Sequence, residues 1–491
     1  MVVEEHSLED AQQPETVVHA LLLPFPALTH LVPLVQLAKK LAASAKLHQC
    51  GCKFVFTTIV SYHIASEAGA WVSGADDGET DFSLRTIAVP DGISSSSSRG
   101  QMSTMIQACL NMKPPTLRFV SDLVHSSPRL SVVIGDVFVP WAADLANSFD
   151  LRLFSVYTPS ASSGCVLMHA PSLVSQKIIP FQDSKQEEFV ECPGAPPLLP
   201  RDFPPSMLVQ DVSHPRLQYA LNLFSCLQST GGLILNTCFR LEANAVTEFQ
   251  ARCPTYTVGP LFLPLGGVKD QKSSNWKENE GSRASDCLAW LDTQAASSVI
   301  YVSFGTLAEF SHEQIRELAW GLEMSHQPFL WVIHKSFLSG MFSDVLPQGF
   351  SERVKDRCFL TPWAPQLEVL THRSIGGFFT HCGWNSILEN ITLSGVPMLC
   401  WPDKAEQGMN ARLIVDVWKL GIPFKVSKEC DISRDEVQAA VKNLMLGEGV
   451  QEMRRIGGEL KQVVQEAVKE GGSSLVGLKD LVLNMKNKNS E

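Results

Sequence analysis

The feature that most constrains the fold is a repeated alternation of short apolar runs with helical patterns. Several runs are apolar on both faces, as strands buried in a parallel sheet must be. The run at 17–25 and the helical pattern at 31–44 begin a β-α-β unit. The alternation therefore predicts an α/β fold with parallel sheets. Predicted strands occupy 17–25, 52–60, 82–89, 130–136, 152–158, 231–237 and 255–260, then 297–305, 328–334, 357–363, 374–381, 397–402 and 421–426.

A polar segment at 264–286 divides this alternation in two. It is rich in Gly and Ser and nearly free of aliphatic residues, as interdomain linkers are. A chain of 491 residues is also too long for one ordinary core. We predict an N-terminal domain over 1–263, a linker over 264–286 and a C-terminal domain over 287–465.

Charge and composition exclude several classes of protein. A net charge of −11 argues against sequence-independent binding of nucleic acid or of anionic membranes. No apolar run approaches the roughly 20 residues of a membrane span, and the acidic N-terminus does not resemble a signal peptide. The 13 cysteines are scattered without a CxxC pair, which favours free thiols over a zinc site. We therefore expect a cytoplasmic protein without a membrane span.

Polar residues follow four of the predicted strands. They are His30 after the first strand, Asp136 at the end of 130–136, the Gly305-Thr306 pair, and the stretch FTHCGWNSILE at 379–389. In open α/β sheets, ligands bind beyond the carboxyl ends of the strands. With two such domains, the expected site is the cleft between their carboxyl edges.

The stretch at 379–389 suggests a site for an anion. Ser386 and Glu389 have the S-x-x-E spacing of a capping box, which predicts a helix start. The free N–H groups and the positive dipole end of a helix start also bind anions. Gly383 allows close approach of a ligand, and His381 and Asn385 add side-chain donors. Together with the similar turn at 305–306, these groups predict a binding site for a diphosphate.

Two other readings of the stretch are weaker. His381 and Cys382 are sequence neighbours without a second ligand pair, so we expect no metal site. Adjacent residues at a strand end also point opposite ways, which disfavours a Cys–His nucleophile pair. The chain contains neither GxGxxG nor GxxxxGK[ST], so conventional dinucleotide and P-loop sites lack their main signal.

The segment WAPQLEVLTHRSIGGFFTHCGWNSILENITLSGVPMLCWPDKAEQ at 363–407 closely resembles the signature box of plant secondary-product glycosyltransferases. These UDP-sugar-dependent family 1 enzymes have the GT-B fold, in which two Rossmann-like domains face each other. The segments SSVIYVSFGT, FLWVIH, PFPALTH and GGSSLVGLKDLV are also similar to family segments, so the resemblance covers nearly the whole chain. It implies that the helix within 466–491 packs back toward the N-terminal domain.

The resemblance implies roles for the residues of the box. Trp363 matches the aromatic residue that stacks on uracil, and the Ala364 backbone matches a contact to the base edge. Gln366 and Glu389 match ligands of the ribose hydroxyls. The implied diphosphate ligands are His381, Asn385, Ser386 and Thr306, and the residues implied around the sugar are Trp384, Glu406 and Gln407. Further implied candidates are Thr29, Thr158, Gly305 and Gly383.

The resemblance also implies a reaction. His30 is the expected general base, and Asp136 is expected to hold the imidazole tautomer. Direct attack by an acceptor on UDP-glucose would invert the anomeric centre without a metal or other cofactor, and Gln407, at the last position of the box, is associated with glucose. We expect a small apolar acceptor such as a flavonoid, with a phenolic hydroxyl as nucleophile, and a monomeric enzyme.

Three alternatives remain open at this stage: C-transfer to an activated phenolic ring, a UDP-sugar epimerase of the same fold, and a non-catalytic UDP-sugar-binding protein.

Two departures from the family pattern are visible. The box has one extra residue between Glu389 and Gly395, and ALTH replaces the commoner AQGH before His30.

Overall fold

The computed structural model describes residues 16–69, 82–94, 101–265, 278–305, 310–333, 345–424 and 432–487. They form two α/β domains, each built on one parallel sheet. Each of the thirteen predicted runs overlaps one strand among these residues. The predicted fold class is therefore confirmed.

The N-terminal sheet has seven strands in the order β3-β2-β1-β4-β5-β6-β7. The strands are β1 (Thr16–Leu23), β2 (Cys52–Ser61), β3 (Leu84–Val89), β4 (Leu130–Asp136), β5 (Arg152–Tyr157), β6 (Leu233–Leu235) and β7 (Thr255–Thr257). Between them run α1 (Leu28–Leu47), α2 (Tyr62–Ala68), α3 (Met102–Leu123), α4 (Ala142–Ser148), α5 (Ala161–Ser175), α6 (Pro215–Asn222) and α7 (Ala243–Gln250).

The C-terminal sheet has six strands in the order β10-β9-β8-β11-β12-β13. They are β8 (Val299–Ser303), β9 (Phe329–Val332), β10 (Cys358–Thr361), β11 (Ile375–Thr380), β12 (Met398–Cys400) and β13 (Gly421–Pro423). Its helices are α8 (Glu278–Asp292), α9 (His312–Ser325), α10 (Phe350–Val354), α11 (Gln366–Thr371), α12 (Trp384–Leu393), α13 (Gln407–Arg412), α14 (Arg434–Leu446) and α15 (Val450–Ala467), and the chain ends with α16 (Ser473–Lys486).

Strand β1 shows why the predicted runs are continuously apolar. Leu22 packs into the layer that contains α1 and α16, whereas Leu21 and Leu23 pack into the opposite layer with α3 and α4. Because successive side chains of a strand point to opposite faces, a strand covered on both sides needs apolar residues at every position.

The structure modifies three local expectations. Helix α1 begins at Leu28 rather than at 31, so His30 lies in its first turn rather than in a loop. Helix α8 begins at Glu278, so the part of the predicted linker at 278–286 is helical, while 266–277 lie outside the described residues. The sequence of 169–205 predicts a surface loop with some helix possible; the segment does begin within α5, but its Leu198 and Phe203 are buried because they pack in the core around α5 and α7.

The chain crosses between the domains twice, and the two crossings are adjacent. The first follows β7, and the second lies between α15, which packs on α12, and α16, which packs on α1 and β7. Ser474 Oγ at the start of α16 donates a hydrogen bond of 2.6 Å to the carbonyl of Gly259 after β7. None of the described helices is both long and apolar enough to cross a membrane.

Candidate functional site

The imidazole of His30 lies against a buried carboxylate of the neighbouring strand. His30 Nδ1 is 2.7 Å from Asp136 Oδ2, and the Asp136 side chain is fully buried. Strands β1 and β4 are adjacent, so their carboxyl ends bring these two residues together. Oδ1 of Asp136 accepts the backbone N–H of Phe138 at 2.9 Å, which fixes the carboxylate. With Nδ1 protonated and held by Asp136, Nε2 of His30 is left to accept a proton.

The other neighbours of His30 are a hydroxyl and two aromatic rings. Thr158 Oγ1, after β5, is 3.2 Å from His30 Nδ1. The ring of Phe25 lies 5.2 Å from the imidazole, and the ring of Phe138 meets it edge-on at 5.1 Å. Phe138 in turn stacks on the buried Tyr157. The imidazole therefore stands in a largely apolar wall.

The expected capping box at Ser386 is wrong. Helix α12 begins at Trp384, with Gly383 as its N-cap and without a side-chain cap. Ser386 therefore lies inside the first turn, and the Glu389 side chain bonds elsewhere. The helix starts earlier because the chain turns directly after β11, where Cys382 adopts a left-handed φ of 65° and Gly383 is extended. Without a side-chain cap, the first N–H groups of this ten-residue helix remain available to an anion.

His381 lies between two glycines at this helix start. A Cβ atom on Gly383 would stand 2.5 Å from His381 Nε2, and one on Gly305 would stand 3.0 Å from the same atom. Burial lowers the pKa of His381 to about 4, and the charge of Lys404 lowers it further, whereas the Ser303 backbone partly offsets both. His381 is therefore neutral at pH 7 and offers an N–H rather than a charge.

Gln366 and Glu389, the expected ribose ligands, are directly bonded. Gln366 Nε2 donates to Glu389 Oε2 at 2.5 Å and to Ser386 Oγ at 3.0 Å. The Tyr301 hydroxyl donates to Gln366 Oε1 at 3.0 Å and so fixes the orientation of the amide. Burial raises the pKa of Glu389 to about 7, although the bond from Gln366 opposes this shift. These contacts place the two expected ribose ligands beside the start of α12.

Trp363 and Ala364 lie at the entry to α11, after β10. Trp363 is partly buried and Ala364 is buried. Thr361 Oγ1 donates to the carbonyl of Trp363 at 2.5 Å, which fixes the backbone there. The two residues thus lie on the same edge of the sheet as Gln366.

Trp384 does not present its side chain to the cleft. It is 3% exposed, and its indole N–H donates to the Asn236 carbonyl at 2.8 Å. Only its backbone, at the first position of α12, remains for a ligand. The indole packs in the core and against the other domain, so the position beside the sugar that the resemblance implies for Trp384 would have to be filled by its backbone.

Glu406 and Gln407 lie at the start of α13, on the same side as His30. Oε1 of Gln407 accepts the backbone N–H groups of Asp403 and Lys404 at 2.9 and 3.0 Å, so its amide N–H₂ is the end left for a ligand. Burial raises the pKa of Glu406, and the charge of His30 opposes this across the domain boundary. The expected base and the expected sugar residues therefore share one region.

Further hydrogen bonds join the cleft edges of the domains. Asn385 Nδ2 donates to the Thr29 carbonyl at 3.4 Å, next to His30. Ser160 Oγ, at the N-cap of α5, donates to Asn410 Oδ1 at 2.6 Å, and both side chains are fully buried. Thr306, the remaining expected diphosphate ligand, lies outside the described residues.

Sequence reasoning missed Asn236, Asn410 and Tyr301. Asn236 directly follows β6, so the rule that found Asp136 at a strand end also applied to it. Asn410 lies one turn beyond Glu406 and donates to the Cys382 carbonyl at 3.0 Å, a contact that no local pattern indicates. Within the described ranges, His, Cys, Asp and Glu form no group of three that could hold a metal ion.

Comparison with known proteins gives consistent results. A family model described as UDP-glucoronosyl and UDP-glucosyl transferase matches residues 278–454. Linamarin synthase 1 of Manihot esculenta is 32% identical over 480 residues, which cover 94% of this chain and 95% of that protein. The (R)-mandelonitrile beta-glucosyltransferase of Prunus dulcis is 31% identical over 484 residues, 94% and 96% of the two chains. The solved structure of Phytolacca americana UGT2 with UDP-2fluoro-glucose and pterostilbene is 28% identical, covers 95% and 99% of the chains and superposes with a TM-score of 0.78.

Proposed function

The chain belongs to the UDP-glucoronosyl and UDP-glucosyl transferase family, and from this premise we propose that it transfers glucose with inversion from UDP-glucose to a hydroxyl of a small apolar molecule. The observation that carries the proposal is the contact between Asn385 and the Thr29 carbonyl. It brings the start of α12 to within one residue of His30, so an anion held at the helix start lies beside a base.

In the proposed reaction, His30 Nε2 accepts the proton of the acceptor hydroxyl. The hydroxyl oxygen forms a bond to the anomeric carbon as the bond from that carbon to the phosphate oxygen breaks. UDP leaves with the electron pair, and the proton on His30 later passes to solvent. Asp136 stabilises the imidazolium that forms, as an orienting carboxylate does in a catalytic triad.

The leaving diphosphate is stabilised by neutral donors. These are the first N–H groups of α12, the Asn385 amide, the Ser386 hydroxyl and the N–H of His381. Fixed donors of this kind act on the charge that develops in the transition state. We propose that no metal is needed. Addition of a chelator should therefore leave the rate unchanged, and loss of activity with a chelator would contradict this part of the proposal.

The sugar is proposed to lie between Gln407 and Glu406 on one side and His30 on the other. Gln407 uses its amide oxygen for the backbone, so it would donate its N–H₂ to a sugar hydroxyl. The relative from Prunus dulcis is named as a beta-glucosyltransferase, which supports glucose and inversion. A preference for UDP-galactose over UDP-glucose would contradict this role of Gln407.

We propose an aromatic acceptor with a phenolic hydroxyl, such as a flavonoid. The rings of Phe25 and Phe138 beside His30 support a flat apolar acceptor. The structure from Phytolacca americana contains pterostilbene, a phenol, while the Prunus dulcis relative is named for mandelonitrile, an alcohol. A panel of matched phenols and alcohols with UDP-glucose tests the choice, and faster transfer to the alcohols would contradict it.

The product should be an acid-labile glucoside, heavier than the acceptor by one hexose residue, which is a hexose minus water. A product with the same mass that resists acid would indicate C-transfer and contradict the proposal. Conversion of UDP-glucose without acceptor would indicate an epimerase. His30→Ala should abolish transfer while UDP binding persists, and retention of the wild-type rate in this variant would exclude His30 as the base.

We further propose a monomer that works in the cytosol. Buried free thiols such as Cys109, Cys165 and Cys400 support a reducing compartment, where disulfides are rare. Size-exclusion chromatography with light scattering would test the oligomeric state.

A further inference from the structure

We propose that Asn236 is a positioning residue for the diphosphate site, because it determines which end of the Asn385 amide faces the donor. This inference rests on the proposed function, in which Asn385 binds a phosphate oxygen. In this proposal Asn236 does not itself contact the UDP-sugar. It follows β6 at the carboxyl edge of the N-terminal sheet and is 3% exposed.

The first step concerns the orientation of the Asn236 amide. Its Oδ1 accepts the backbone N–H of Leu261 at 3.0 Å. A backbone N–H can only donate, so the oxygen of Asn236 must face Leu261 and its Nδ2 must face the other way. Nδ2 then donates to Asn385 Oδ1 at 3.4 Å.

The second step concerns the far end of Asn385. Its Nδ2 donates to the Thr29 carbonyl at 3.4 Å. That carbonyl is available because Pro33, four residues later in α1, has no N–H to form the usual helical bond. A carbonyl can only accept, so the nitrogen of Asn385 must face Thr29.

These contacts form one directional chain of hydrogen bonds. It begins at the N–H of Leu261, passes through the amides of Asn236 and Asn385, and ends at the carbonyl of Thr29. Because a backbone group fixes each end, neither amide can flip without placing two donors or two acceptors together. Asn385 therefore keeps its N–H₂ in the cleft, with its second hydrogen left for a phosphate oxygen.

A separate contact of Asn236 holds the same helix. Its backbone carbonyl accepts the indole N–H of Trp384 at 2.8 Å. Trp384 is the first residue of α12 and directly precedes Asn385. Because this contact uses the backbone, it survives substitution of the Asn236 side chain. A substitution at 236 therefore tests the amide chain rather than the attachment of α12.

The experiment is Asn236→Asp, which keeps the shape of the side chain and reverses its polarity. The oxygen that replaces Nδ2 repels Asn385 Oδ1, so the Asn385 amide turns its oxygen toward the donor. Loss of one hydrogen bond to a charged group predicts at least about a tenfold rise in Kd for UDP. The KM for UDP-glucose should rise in parallel, and the KM for the acceptor should stay unchanged.

A double-mutant cycle with Asn385→Ala separates this mechanism from a general structural defect. In the Asn385→Ala background, Asn236→Asp should change Kd for UDP less than about twofold, since the amide through which it acts is gone. An equal loss in both backgrounds would overturn the inference, as would an unchanged Kd in a folded Asn236→Asp protein. Asn147→Asp, an exposed site at the end of α4, controls for the added charge.

If Asn236→Asp does not fold, as judged by its thermal transition, Asn236→Ala takes its place in the same cycle. This variant also breaks the amide chain and leaves the hydrogen bond from Trp384 to the carbonyl of residue 236. An equal loss of UDP affinity in both backgrounds, or an unchanged Kd for UDP, would again overturn the inference. A wild-type protein that does not bind UDP would contradict the proposed function itself, which distinguishes the two failures.

Discussion

Asp136 uses one carboxylate oxygen for the backbone of Phe138, at 2.9 Å, and the other for His30 Nδ1, at 2.7 Å. The first bond determines how the second responds to substitution. The N–H of Phe138 always donates, so the group that faces it must be an oxygen. Whatever occupies the other position of residue 136 decides which nitrogen of His30 carries the proton.

We therefore expect Asp136→Asn to lower kcat by roughly 10²- to 10⁴-fold, with little change in the KM for UDP-glucose. The amide oxygen would face Phe138 and the amide nitrogen His30, so Nδ1 would become an acceptor and Nε2 would carry the hydrogen. Steady-state kinetics test this, with Asp144→Asn, an exposed carboxylate on α4, as the control. A kcat near that of wild type would show that the tautomer does not matter.

Gly383→Ala should weaken UDP binding by about tenfold, the cost of one hydrogen bond to a charged group. The backbone φ of −66° suits alanine, but the new Cβ would stand 2.5 Å from His381 Nε2, so the imidazole must move away from the diphosphate site. Calorimetric titration with UDP measures the effect. The matched control is Gly458→Ala in α15, where a Cβ meets nothing within 4 Å. Equal Kd values of the two variants for UDP would show that His381 does not contribute to UDP binding.

The affinity for UDP-glucose should fall as the pH is lowered from 8 to 6, through the Glu389 pKa of about 7. In the proposed complex, ribose hydroxyls donate to the Glu389 carboxylate, so binding favours the ionised form and lowers the pKa of Glu389. The complex then holds fewer protons than the free protein, and affinity is higher at high pH. His381 acts with the opposite sign, but from a pKa of about 4. Glu389→Gln should flatten the profile, and an equally steep profile in that variant would assign the titration elsewhere.

Ser160→Ala should lower the free energy of unfolding by about 1–3 kcal/mol, because it leaves buried polar groups without a partner. The substitution removes the 2.6 Å bond to Asn410 Oδ1 and the cap that accepts the Ser163 N–H. Urea denaturation followed by fluorescence measures the change. Ser148→Ala, on the exposed end of α4, removes a local bond of similar length and should have little effect. The same midpoint in both variants would mean that the bond between the domains contributes no stability.

The strands were predictable because their signal is local. A strand covered on both faces is apolar throughout, as Leu21, Leu22 and Leu23 show, so the run itself carries the information. The rule that ligands bind at carboxyl strand ends brought His30 and Asp136 to one edge although 106 residues separate them.

The start of α12 was less predictable, because S-x-x-E spacing allows a capping box but does not determine where the helix begins. The helix begins where the chain turns after β11, at Gly383, and Glu389 bonds to Gln366 instead of capping. The contacts between the domains were not predictable at all. Asn236 meets Asn385 across 149 residues and Ser160 meets Asn410 across 250, and no periodicity or spacing in the sequence relates such distant positions.

The two adjacent chain crossings limit how the cleft can open. The bond from Ser474 to the Gly259 carbonyl shows that the chain just after β7 and the start of α16 lie side by side. With a single connection, the domains could rotate about one segment of chain. Two adjacent connections restrict their relative rotation more strongly. Any change in the relative orientation of the domains must therefore bend both connections together at this end of the boundary.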